Sequence, residues 1–220
     1  MSSGKLTALL DANVLYPATL RDLRIWLAVC EAFYAHWTPE ITEEWTRNLL
    51  KDRPDLSAER LERTRLLMEN ALPDANLIGY EGYVETLNLP DLDDRHVLAA
   101  AMHIGADVIV TQNLRDFPTI ILEPLGIRAV HADDFVCGLR DNDPTTVLAA
   151  VAAQRANFKN PRLTLEEYLA RLSNQGLPQF VTWLKSVTTK KVATSLHRPQ
   201  QAFLGIVFPG LIQCFRLQIR

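Results

Sequence analysis

Asp11, Glu44, Asp94 and Asp116 are the residues of this chain whose type and setting could do chemistry. Asp11 closes the apolar run Leu6–Leu10, and Asn113 and Asp116 follow a second apolar run, DVIVT at 107–111. If both runs are neighbouring parallel strands, these polar groups meet outside the carboxyl end of a sheet, where open α/β folds bind their ligands. Asp and Asn also favour turns for purely local reasons, so the two helical acids carry more of the argument. On a helix opened by Thr38-Pro39-Glu40, the residues Ile41, Trp45 and Leu49 form the core stripe. At roughly 100° per residue, Glu44 lies about 100° from the middle of that stripe and Glu43 about 160°. Glu44 therefore borders the buried face, while Glu43 points to water. On the helix expected from Asp93 to Ile104, Asp94 falls within about 20° of the stripe made by Val97, Leu98 and Ala101, and Asp93 about 80° away. A carboxylate on the apolar side of a helix is costly unless it is paired or holds a metal. The local alternative is that Asp94 caps the helix.

Four carboxylates converging on one cleft repel one another, and a divalent cation is the simplest remedy. Oxygen-only ligands suit Mg²⁺ or Mn²⁺ rather than zinc. Such an ion lowers the pKa of water, orients a phosphodiester and screens its charge, so the set points to hydrolysis of phosphate esters. Other patterns fail. PDLDDRHV departs from a calcium loop at Arg95 and His96. His96 and His103 are spaced too widely for a zinc pair on one helix. No glycine-rich phosphate loop and no Ser or Cys nucleophile motif is present. An aspartyl-phosphate mechanism on Asp11 wants an acid two residues on, where Asn13 stands. Arg60, Arg63 and Arg65 interleave with Glu59 and Glu62 as a solvated helix face.

The elements that must position these acids alternate. A strand at Leu6–Leu10 precedes a helical pattern from Pro17 to Tyr34, then a short strand at Ala35–Trp37 and the helix to Lys51. A further helix starts at the N-cap candidate Ser57, and a strand is expected at Asn76–Tyr80. After the Asp93–Ile104 helix, stopped by Gly105, come DVIVT, a strand at Arg128–His131 and a short helix at Asp133–Leu139. Strands alternating with helices imply an α/β/α arrangement on a central, mainly parallel sheet. From Asp143 strand signals vanish, and Pro144–Phe158, Thr164–Leu172 and Leu177–Ser186 read as helices. The expected organisation is an α/β domain over 1–140, a helical extension over 141–187 packed on that body or on a partner, and an unusual tail over 188–220 expected to be poorly ordered.

The bulk numbers agree with an intracellular protein of this kind. Of 220 residues, 48% are hydrophobic, enough for a buried core. Residues 1–167 hold all 26 acids against 16 Lys and Arg, while the rest holds seven basic residues and no acid. An acidic body makes a poor general phosphate-binding surface unless some of its carboxylates hold cations. Cys30, Cys137 and Cys214 are odd in number and far apart, which fits a reducing cytoplasm and neither a disulfide framework nor a zinc site. No signal peptide and no membrane span is expected; the apolar stretch Ala202–Phe215 is too short to cross a bilayer.

Four segments in order, LLDANVLYPATLRD, ITEEW, LPDLDDRHVLAAA and GADVIVTQNLRDFP, resemble PIN-domain proteins over roughly residues 5–140. The chain is similar to the VapC-like toxins of prokaryotic toxin–antitoxin pairs. The resemblance implies Mg²⁺- or Mn²⁺-dependent endoribonuclease activity by an activated water, in the cytoplasm. It implies metal ligation by Asp11, Asp94 and Asp116, with Glu44 completing the catalytic acids. Asn13, Thr111 and Asn113 would support them, and Asp91 and Asp93 would help at the third acid. The implied partners are an RNA substrate and a cognate antitoxin; the added helices would serve that pairing or a homodimer. The alternative is a non-catalytic PIN-type module that binds RNA or protein, but such a module has no need of mutually repelling carboxylates.

Overall fold

The computed structural model describes residues 4–158 and 162–195. Its elements run β1 (Thr7–Leu10), α1 (Ala12–Leu15), α2 (Ala18–Val29), β2 (Tyr34–His36), α3 (Pro39–Asp52), α4 (Ala58–Ala71), α5 (Glu81–Val84), α6 (Arg95–His103), β3 (Val108–Thr111), α7 (Thr119–Leu122), β4 (Arg128–His131), α8 (Ala132–Asn142), α9 (Pro144–Asn157), α10 (Leu165–Asn174) and α11 (Pro178–Ser195). The strands form one sheet in the order β2-β1-β3-β4, and every pairing is parallel. In register, Leu10 faces Val110, and Thr111 faces His131.

That order fixes the layers. The chain leaves β1 toward β2, then crosses back over β1 to reach β3 and continues to β4. Parallel crossovers are right-handed, so reversing the direction of travel puts α2 and α6 on opposite faces. The sheet is thus covered on both sides, which is why VIVT in β3 is buried at every position. Between β1 and β3 the loops that follow the two strands depart to opposite faces. This is the topological switch point, where a crevice opens at the carboxyl ends of the strands.

Local differences from the sequence reading have identifiable causes. The pattern from Pro17 to Tyr34 becomes a helix that stops at Val29, because Glu31 adopts a left-handed φ of 63° and turns the chain into Phe33. Phe33 packs edge-on against Phe135 of α8, with ring centroids 4.9 Å apart. The strand expected at Asn76–Tyr80 is reduced to one bridge, Trp37 with Asn76, and Gly79 at φ 90° redirects the chain into α5. Pro39 and Ser57 start α3 and α4 as their sequence signals require, with Thr38 and Ser57 hydroxyls accepting from the helix amides.

Residues up to Val181 form one compact unit, and α9 and α10 belong to it. They pack on α2 through a buried polar knot. Tyr168 donates to Gln154 Oε1 at 2.8 Å, and Gln154 Nε2 donates to the Thr19 carbonyl at 2.8 Å. Both side chains are fully buried. Asp133, also buried, accepts from the amides of Gln179 and Phe180 at 2.8 and 3.0 Å and so caps the start of α11. A second unit begins at Thr182, where the described residues continue α11 past Ser186 to Ser195. The rest of the tail expected over 188–220, residues 196–220, lies outside the described residues. Among those described, no helix is long and apolar enough to cross a membrane, and Cys30 and Cys137 are unbonded.

Candidate metal centre

Asp11 ends β1 and is the N-cap of α1, only 3% exposed. Its backbone amide donates to the Val110 carbonyl at 3.1 Å, which carries the β1–β3 pairing to the rim of the crevice. Its carboxylate is held on three sides: by the Ala12 amide at 2.6 Å, the Asn13 amide group at 2.5 Å and the Thr111 hydroxyl at 2.7 Å. Asn13 also donates to Thr111 Oγ1 at 2.9 Å, and its Oδ1 accepts from the Gln112 amide at 2.9 Å. Asn13 and Thr111 therefore clasp the ends of β1 and β3 around one carboxylate. Burial raises the Asp11 pKa, and the Thr111 hydroxyl leads the contacts that oppose the rise.

The short helix α1 is fixed at its other end by two buried arginines of α2. Arg24 Nη1 donates to the Val14 carbonyl at 2.8 Å, and Arg21 Nη1 to the Leu15 carbonyl at 2.6 Å. Both cations sit where a helix exposes its unsatisfied carbonyls. Burial pushes the Arg24 guanidinium down to about 9 and Arg21 to about 10. Arg21 also lies over the Trp45 ring, 4.3 Å from its centroid, and so ties α2 to α3.

Asp94 occupies the N-cap of α6, yet its side chain caps nothing: it accepts no bond from the helix amides. The carboxylate is left free to face the crevice. One carboxylate oxygen from each of Asp91, Asp94 and Asp116 lies within 4.8 Å of the others. Asp94 is pushed up to about 7, first by burial and then by the charges of Asp11, Asp116, Asp91 and Glu44. Glu44 is half-buried on α3 and Glu43 is exposed, as the helix geometry requires. Burial raises the Glu44 pKa too, with the Asp11 charge next in weight.

The remaining predicted residues are placed as follows. Asn113 hydrogen-bonds Asp116 through its side-chain amide, and its backbone amide donates to Thr111 Oγ1 at 3.0 Å. Asp91 accepts from the Asp93 amide at 2.9 Å, a turn that aims its carboxylate at Asp94 and Asp116. Asp91 thus joins the oxygen cluster directly, whereas Asp93 is exposed and reaches the site through its field on Glu44 and His96. Asp11 is outside the group of oxygens within 4.8 Å but adjoins it electrostatically.

Sequence reasoning passed over His96. It is buried on α6, with Nδ1 3.7 Å from Glu40 and Nε2 3.9 Å from Glu44. Burial lowers its pKa against the pull of Glu40 and Asp11. Tyr80, also buried, donates to Glu40 at 3.3 Å. Helix geometry alone does not reveal it, because a residue two places after Asp94 lies on the other side of an ideal helix; its partners Glu40 and Glu44 stand one turn apart on α3.

The donor set is all carboxylate oxygen, with no Lys or Arg paired to Asp91, Asp94 or Asp116 among the described residues, and this fits a hard divalent ion of the Mg²⁺ or Mn²⁺ kind. Beside it, a cleft of about 290 Å³ is lined by Asn13, Tyr16, Glu44, Asn48, Lys51 and Asp52. A groove of about 330 Å³ between α3 and α4 uses a different face of α3, with Glu43 and Leu50, and contains none of the clustered acids.

Residues 7–115 match the family model described as PIN domain, and residues 132–186 match the one described as VapC50 C-terminal domain. A curated relative, "Putative ribonuclease VapC50" of Mycobacterium tuberculosis (strain ATCC 25618 / H37Rv), is 37% identical over 111 residues. The aligned stretch spans 50% of this chain and 64% of that protein. No solved structure matches the chain.

Proposed function

The chain belongs to the PIN-domain family through residues 7–115, and from that premise we propose that it is a divalent-metal-dependent endoribonuclease, the toxin of a toxin–antitoxin pair acting in the cytoplasm. The observation that carries this reading is the state of Asp94. It sits at a helix cap without capping, among Asp91, Asp116 and Asp11, and is pushed up to about 7 by burial and like charge. Such an arrangement is unfavourable in an empty protein and becomes favourable around a cation. Asp94, Asp116 and Asp91 would hold the ion, with Asp11 alongside. When bound, that ion supplies a water of lowered pKa and screens the phosphodiester.

The chain's own residues do the rest. Thr111 and Asn13 lock the Asp11 carboxylate in one orientation, and Asn113 does the same for Asp116. Glu44, with its raised pKa, stands at the cleft beside the cluster and takes the proton released by the attacking water. His96 lies between Glu40 and Glu44. Helices α9 and α10, within the stretch that matches the VapC50 C-terminal model, pack on α2, and the match to a relative named as a putative ribonuclease supports an RNA substrate.

The test is cleavage of a structured RNA pool by the purified chain with Mg²⁺, with Mn²⁺ and with EDTA, beside Asp11→Asn. Metal-dependent cleavage that disappears in the variant is expected. An absence of cleavage in both metals, with no ion binding by calorimetry, overturns the reading.

A further inference from the structure

Helix α10 ends in a turn that its own sequence dictates. The Gly176 amide donates to the Ser173 carbonyl at 3.1 Å and the Leu177 amide to the Leu172 carbonyl at 3.0 Å, with Gly176 at φ 100°. This nested pair of bonds is the Schellman ending, which needs a residue that accepts positive φ at the Gly176 position. Leu172 and Leu177 are both fully buried, so the turn is pinned to the body of the molecule.

Two contacts tie this turn to the crevice. Helix α2 has Pro17 as its N-cap, which supplies no side-chain bond, and Gln175 Oε1 accepts from the Leu20 amide at 3.3 Å instead. At Gly176 the close neighbour is Gln112: a β-carbon there would stand 3.3 Å from Gln112 Nε2 and 3.8 Å from its Oε1. Gln112 follows Thr111 directly, and its backbone amide donates to Asn13 Oδ1 at 2.9 Å. Helix α2 in turn holds the far end of α1 through Arg21 and Arg24. One turn therefore abuts both supports of the Asp11 carboxylate, the loop after β3 and the helix that anchors α1.

We infer that Gln175 and Gly176 are positioning residues of the metal centre, Gly176 seating the Gln112 side chain and Gln175 fixing the start of α2. The inference rests on the metal-centre reading and adds that residues outside the PIN match, 7–115, help to complete the centre. Neither residue reaches the ion or the reacting atoms; both act on Asp11 through Asn13 and Thr111. Outer contacts of this kind orient a metal ligand and are felt in its affinity for the ion. The stretch that matches the second family model is then a working part of the centre.

The experiment uses the whole chain and calorimetry with Mg²⁺. Asn tolerates positive φ better than most side chains, so Gly176→Asn tests the space beside Gln112 more than the backbone. It should weaken Mg²⁺ binding about tenfold, the low end for losing an outer partner of a metal site. The same substitution should cost less alongside Gln112→Ala, because the side chain it displaces is gone. Gln175→Ala should weaken Mg²⁺ binding as well, and Gln175→Glu, which keeps an accepting oxygen, should retain it. Tyr168→Phe is the control: it loosens the same seam without altering the turn, and its Mg²⁺ binding should match the parent. In metal-free protein, hydrogen exchange should quicken at the Gln112 amide in Gly176→Asn and at the Leu20 amide in Gln175→Ala, with the β3–β4 ladder unchanged (a general loss of stability would quicken all of them).

Parent-like Mg²⁺ binding in both Gly176→Asn and Gln175→Ala overturns the inference. So does a cost of Gly176→Asn that is the same with and without the Gln112 side chain, or an equal loss in Tyr168→Phe. A parent that binds no Mg²⁺ overturns the metal reading instead. Exchange then decides the positioning alone: selective quickening upholds it, and uniform or absent quickening overturns it.

Discussion

The chain buries polar groups in two places and treats them oppositely. At the seam between α2 and the C-terminal helices, Tyr168, Gln154 and Thr19 form a closed sequence of hydrogen bonds in which each donor meets an acceptor. Gln154 also hydrogen-bonds Asp22, countering the burial that pushes that carboxyl up to about 6. At the crevice between β1 and β3, by contrast, Asp94, Asp91 and Asp116 are assembled beside Asp11 and Glu44, and among the described residues no Lys or Arg pairs with the first three. Each supporting hydrogen bond there, from Thr111, Asn13 or Asn113, orients a carboxylate instead of neutralising it. A satisfied knot holds two parts of a fold together. A cluster of oriented, unrelieved charges is tolerated only for what it binds.

The contrast can be broken at either end. The largest effect is expected from Asp94→Asn, which removes one charge and almost no volume. RNA cleavage should fall by more than the roughly 10–100-fold typical of losing an outer partner of a metal site, with the folded state retained by circular dichroism. Thr111→Val comes next: it keeps the shape of β3 but withdraws the hydroxyl that fixes Asp11, and a loss of about 10–100-fold in metal affinity or activity is expected. At the seam, Tyr168→Phe strands Gln154 Oε1 and should cost about 1–3 kcal/mol in denaturant unfolding, with activity per folded molecule unchanged. The smallest effect concerns pH. In metal-free protein the folded chain holds the Asp94 proton more tightly than the unfolded chain does. Stability should therefore fall as pH rises from the ordinary 3.8 to about 7 and level off above. Asp94→Asn lacks this penalty, so its melting temperature should match the wild type near the acid end and exceed it above neutrality. Saturating Mg²⁺ should raise the wild-type value and leave the variant little changed.

Much of this was legible from local pattern. Val108, Ile109 and Val110 are all apolar because β3 is covered on both faces, and polar groups that follow such a run emerge at the rim. Glu44 was separable from Glu43 by helix geometry alone. Asp94 was read as lying on the helix and proves to be its cap, yet the conclusion that it faces inward stands, because the cap residue is set by the same packing of α6. The less legible parts depend on turns and distant partners. Asp91 reaches the cluster through a turn closed by the Asp93 amide, which no periodicity reveals. His96 gains its meaning from Glu40 and Glu44 on another helix. Asn76–Tyr80 has the composition of a strand, but one bridge to Trp37 is all the sheet edge offers it.

The clasp of Asp11 by Thr111 joins positions 100 residues apart in the chain, and this has a bearing on synthesis. Translation delivers Asp11 and Glu44 early, while β3 and Asp116 are still unmade. Until they leave the ribosome, β1 lacks the neighbour that fixes its rim, and the third and fourth acids have no place to stand. Chains grow and fold progressively from the N-terminus, so one truncated before Thr111 carries Asp11, Glu44, Asp91 and Asp94 but lacks the Thr111 clasp and Asp116. The proposed centre is thereby withheld from the nascent chain by topology alone, and is completed only after the sheet has closed around its own middle.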